Sequence, residues 1–110
     1  MLLALALLQV ETVARDLANP FGVARGPDGA IYFCEVDSHL VRRLGKDGAL
    51  ATVAGRGTKG YVDGPAGEAA FDQPHEIRFD ARGDLYVADM RNHAVRKIDL
   101  ARKTVSTVAG

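Results

Sequence analysis

The chain has 110 residues, 14 basic and 14 acidic side chains, a formal net charge of zero and one cysteine. That length fits one ordinary domain, and the interspersed charges argue against a strongly basic nucleic-acid surface, so no nucleic-acid partner is expected. The lone Cys34 excludes an internal disulfide and leaves the redox compartment open.

Residues 1–8 form an apolar run too short to cross a bilayer as a helix, so no membrane span is expected. The run resembles the hydrophobic part of a secretory signal, with Ala4 and Ala6 as cleavage candidates and no basic residues before it. The expectation is a signal-peptide remnant over 1–9 and a secreted or periplasmic protein. Otherwise the run extends the first strand of a cytoplasmic one.

A strand is expected at 10–14 and a connection up to Asn19. Strands follow at about 21–24, 30–35, 39–44 and 50–54, from their β-branched and aromatic content. Gly26-Pro27-Asp28-Gly29 and Lys46-Asp47-Gly48 supply the turns. Residues 55–73 carry five glycines, at 55, 57, 60, 64 and 67, and predict an irregular connection across the surface with Phe71 as its one large apolar anchor. Strands then return at 75–80, 84–89, 93–99 and 105–109.

The second set of strands copies the first. Tyr32 recurs 54 residues later as Tyr86, Glu35 as Asp89, His39 as His93, Val41 as Val95 and Arg42 as Arg96. Thr52-Val53-Ala54-Gly55 returns as Thr107-Val108-Ala109-Gly110, and Thr12-Val13-Ala14 reads as a third copy of that element. A repeated unit of this length is the mark of a solenoid or propeller. The pattern Pro-x-Gly-Val, Asp-Gly-x-Ile-Tyr, His-x-Val-Arg-Arg, Thr-Val-Ala-Gly resembles the NHL repeat, with Asn92-His93-Ala94 and Ser38-His39-Leu40 as its naming element.

The resemblance implies an all-β fold of two four-stranded blades from a β-propeller of about six. Repeat 1 covers 20–55, an inter-blade linker 56–73 and repeat 2 residues 74–110, with 10–19 as the outer strand of a preceding or closing blade. Propellers close with about four to eight blades, so the expectation is a fragment of a longer protein, completed by further blades of the same chain, or copies that self-associate. The lone cysteine takes the place of Ala88 in its strand and reads as a small buried side chain.

Duplicated polar groups read as scaffold. Glu35 and Asp89, His39 and His93, and Tyr32 and Tyr86 sit at matched positions, and the stems of Arg42 and Arg96 are expected between blades with the guanidinium reaching Glu35 or Asp89. Asymmetry between the copies is more informative about function. His75-Glu76 faces Phe21-Gly22 at matched positions, at one mouth of the central channel. Pro74-His75-Glu76-Ile77 is also similar to the motif that supplies zinc-binding histidines in peptidyl-hydroxyglycine amidating lyases. A catalytic zinc wants three protein ligands, and this chain offers one at that level. Asp63, Glu68 and Asp72 lack the alternation of a calcium loop.

Three function classes follow from the resemblance. The first is a scaffold binding protein or small ligands through the channel mouth, at His75, Glu76 and Phe21. The second is a metal-dependent lyase or lactonase-like hydrolase, in which a divalent ion, zinc or calcium, sits in the complete propeller with His75 as a ligand. The third is an RNA-binding NHL module, disfavoured by neutral charge. The chain's own motifs call for no cofactor and mark no catalytic group.

Overall fold

The computed structural model describes Leu17 and residues 19–110. The expectations for residues 1–9 and for a strand at 10–14 lie outside the described residues. The elements, in chain order, are β1 (Pro20–Arg25), β2 (Ile31–Glu35), β3 (Leu40–Leu44), β4 (Leu50–Ala54), β5 (Gly64–Pro65), β6 (Pro74–Phe79), β7 (Leu85–Asp89), a 3-10 turn (Met90–Asn92), β8 (Ala94–Asp99) and β9 (Thr104–Ala109). Two antiparallel sheets result, ordered β1-β2-β3-β4 and β5-β9-β8-β7-β6.

Turn chemistry sets the hairpins. Asp28 accepts from the Ala30 amide at 3.1 Å and the Tyr32 hydroxyl at 2.9 Å, while Gly29 takes φ +82°. Burial works to raise the Asp28 carboxyl, but hydrogen bonds from the Ala30 amide, Arg43 and Tyr32 outweigh it and hold the group below the usual carboxylate range.

The two inner strands differ at one residue. The pairing of β1 with β2 shifts between Phe21 and Val23, so Gly22 is the extra residue. In β6 against β7 the shift falls between Pro74 and Glu76, so the extra residue is His75. A bulge bends the strand and re-aims its side chain. Gly22 is also where the blades approach: a Cβ there would lie 2.5 Å from the His75 carbonyl oxygen.

The core lies between the sheets. Cys34, Val41 and Ala54 from the first meet Ile77, Leu85, Val87 and Ile98 from the second. Tyr32 packs edge-on against Phe79 at 4.9 Å between ring centroids. The connection corrects the sequence reading. Its Gly64–Pro65 pairs with β9 as an edge strand, and Ala66, Ala69, Ala70 and Phe71 are buried in the junction instead of crossing the surface. Small side chains let this backbone enter, because Gly55 and Arg56 amides satisfy the Ala66 and Ala69 carbonyls at 2.9 Å.

Candidate functional site

Two polar arrangements meet at the junction. The deeper one centres on Arg96, which is fully buried. Its Nη1 donates to Asp89 Oδ2 at 2.7 Å and the Ala70 carbonyl at 2.9 Å. Its Nη2 donates to the Val62 carbonyl and Asp63 Oδ1, both at 2.8 Å, and Nε reaches Asp63 Oδ1 at 3.2 Å. All five guanidinium protons therefore have acceptors. The guanidinium carbon also lies over the rings of Tyr61 and Phe71, 5.0 and 4.9 Å from their centroids. Burial works to raise the Asp63 carboxyl, yet hydrogen bonds from Arg96 and Thr107 outweigh it and lower it. With Asp63 spent in this way, its side chain serves the scaffold.

Asp89 is equally committed. It accepts from the Asp72 amide at 2.8 Å and the Asn92 amide group at 2.7 Å besides Arg96. In the first blade, Arg42 donates to Glu35 Oε2 at 2.9 Å and to the Ala51 carbonyl at 3.4 Å. Both arginines thus reach the carboxylate at the end of the adjacent strand, β2 or β7. Tyr32 is buried against the second blade, whereas Tyr86 is half-buried. Burial pushes the Cys34 thiol far up, with Glu76 and Asp89 adding to it, so the side chain is an unreactive core group.

The shallower arrangement lies where β1 and β6 meet, at the residues expected to form the channel mouth. Phe21 and His75 stand 5.2 Å apart between ring centroids, tilted by 44°, with Phe21 47% exposed and Glu76 exposed beside them. His75 Nδ1 lies 2.9 Å from the Gln73 carbonyl oxygen. A carbonyl only accepts, so Nδ1 carries a proton, and in the neutral imidazole Nε2 keeps a bare lone pair. Glu76 Oε1 accepts from the Ile77 amide at 3.2 Å. The structure brings His75 and Phe21 together across the blades. His39 and His93 sit instead at the β2–β3 and β7–β8 turns, both with left-handed backbones, φ +58° and +52°.

An NHL repeat model matches residues 71–98, which span the end of the connection through β8. NHL repeat-containing protein 2 from Gallus gallus is 42% identical over 80 residues, covering 73% of this chain and 11% of that protein. A Bacteroides thetaiotaomicron structural genomics protein of unknown function superposes with TM-score 0.69 at 32% identity, covering 76% of this chain and 21% of its own. An auxiliary nutrient binding protein from Bacteroides ovatus superposes with TM-score 0.65 at 34% identity, covering 83% of this chain and 23% of its own.

The chain carries an NHL repeat.

Its two sheets are two blades of a β-propeller, and the chain spans only 8% to 11% of the curated relatives it matches. The NHL histidines do different work in the two repeats. His39 Nδ1 accepts the Gln73 amide at 3.0 Å and lies 3.8 Å from Asp72 Oδ1, so it ties the first blade to the second. His93 is exposed, and among the described residues its ring has no hydrogen-bond partner. Sequence reasoning missed Gln73, whose φ is +55° directly before Pro74. The residue before a proline favours extended backbone, yet Asn19 before Pro20 in the first repeat is left-handed too, φ +61°, so the conformation belongs to the repeat. It also missed Asp63 and Tyr61, whose role depends on a partner more than thirty positions away, Arg96.

Proposed function

We propose that this chain contributes to a ligand-binding NHL propeller of about six blades, completed by further blades or copies, and that the mouth formed by Phe21, His75 and Glu76 takes the ligand. The observation that carries the reading is the bare Nε2 of His75, fixed by the Gln73 carbonyl and set beside the exposed ring of Phe21. Two acceptors, that nitrogen and the Glu76 carboxylate, next to an aromatic face suit a flat ligand bearing hydroxyl or amine donors. The auxiliary nutrient binding protein among the similar structures is in keeping with a binding role.

The residues present do not fit a zinc centre. Among the described residues no group of three or more His, Cys, Asp or Glu side chains gathers, so His75 stands as a lone ligand and no metal-dependent step is derived. Saturation-transfer NMR with a fragment library of hydroxyl- and amine-bearing aromatics tests the mouth. Binding is expected to vanish in His75→Ala, weaken in Phe21→Ala and persist in Lys46→Ala at the opposite end of the blade. Fragments that contact wild type and His75→Ala equally would contradict the reading.

A further inference from the structure

We infer that His39, on the first blade, is a positioning residue for His75 on the second, acting through the peptide groups of Gln73. The inference rests on the mouth reading above and says how that mouth is held. Gln73 donates its amide to His39 Nδ1 at 3.0 Å, and its carbonyl accepts from His75 Nδ1 at 2.9 Å. One residue therefore links two imidazoles in opposite tautomers. His39 must leave Nδ1 bare and carry its proton on Nε2, whereas His75 carries its proton on Nδ1.

The neighbouring residue shows why the link matters. Asp72 is anchored within the second blade at both ends, its amide on Asp89 Oδ1 and its carbonyl on the Arg91 amide, 2.8 and 3.0 Å away. Gln73 has only the cross-blade bond from its amide. Its left-handed backbone, φ +55°, is a conformation a non-glycine residue keeps only when surroundings impose it. Asn19, at the matched position before Pro20, holds φ +61° with its amide on the Leu17 carbonyl, so the repeat itself favours this backbone and the His39 bond fixes how the Gln73 peptide sits within it. Without that bond, the Gln73 peptide loses its cross-blade tether and its carbonyl is free to tilt away from His75. The imidazole is then free to place its proton on Nε2, where the ligand's donor should arrive. The orientation of the mouth histidine thus depends on correct seating of the two blades.

The test is long-range 1H–15N correlation of the imidazoles in the full chain near pH 8. In wild type, His75 is expected as the Nδ1–H tautomer and His39 as the Nε2–H tautomer. In His39→Ala the His75 Nε2 resonance is expected to shift toward the protonated position. His39→Asn, whose Oδ1 reaches the place of Nδ1 and which tolerates a left-handed backbone, is expected to restore it. An unchanged His75 tautomer in a folded His39→Ala overturns the inference. If that variant does not fold, a 15N–15N coupling across the Gln73–His39 hydrogen bond in wild type decides, and its absence overturns the inference equally. A wild-type His75 found as Nε2–H instead sinks the mouth reading itself, a distinguishable outcome.

Discussion

Val41 and Val95 occupy the same place in the two repeats, yet Val41 is fully buried and Val95 is 39% exposed. The difference runs through the whole face. Cys34, Val41 and Ala54 are covered by Ile77, Phe71 and the small side chains of the connection, while Met90, Val95 and Val108 are exposed on the second blade. An open groove of about 480 Å³ lies there, lined by Asp89, Met90, His93, Val95 and Gly110 among others. His39 follows the same rule, bonded across the junction, whereas His93 faces this groove. Identical repeat residues therefore acquire different energies from whether a blade lies against them. A repeat position tells what a residue is built to do, and its neighbour decides whether it does it.

The largest test of that comparison concerns the arginines. Arg96→Leu removes a fully buried cation and leaves Asp89 without its counter-ion, which costs about 3–5 kcal/mol in urea melts. Arg42→Leu, where the arginine is partly exposed and its partner Glu35 is buried, is expected to cost less, about 1–2 kcal/mol. Equal losses would show that the junction adds nothing to the second ion pair.

The valines come next. Val41→Ala is expected to cost about 2 kcal/mol, from lost methyl burial plus a residual cavity. Val95→Ala should stay within about 0.5 kcal/mol, as an exposed position does. For the histidines, His39→Ala leaves the Gln73 amide unpaired in a part-buried site, at about 1–3 kcal/mol, against about 0.5 kcal/mol or less for His93→Ala. Thermal melts of the four variants check both pairs.

The smallest effect is that of acid. Asp63 and Asp28 both have folded carboxyls held below their ordinary values. Their contribution is present above the unfolded carboxyl value, about 3.9, and is lost as pH falls through the lower folded value. The melting temperature should therefore drop as pH falls below about 4, and more gently in Asp63→Asn. A melting temperature equally acid-sensitive in that variant would remove Asp63 from the account.

Much of the fold was legible because each unit is spelled twice. Asp-Gly turns, alternating β-formers and the matched Tyr, His and Arg positions placed all eight blade strands within about two residues, the usual uncertainty of element ends. The glycine-rich connection misled for a physical reason. Glycine frequency marks irregular backbone, but does not tell whether small residues beside it, such as Ala66, Ala69 and Ala70, enter a core. At the mouth, the mismatch of His75 with Phe21 was visible in sequence, and the structure places the two rings together. The link through Gln73 was not visible, because a left-handed residue before proline runs against local preference in both repeats and its partner His39 lies far away in sequence.

The central claim is that the second blade's outer face is built to be covered as the first blade's is. Sedimentation velocity of the full chain tests it most directly. The account predicts species larger than a monomer at micromolar concentration, returning toward monomer in Val95→Lys with an unchanged β-sheet circular dichroism spectrum. A stable, dispersed wild-type monomer would contradict it.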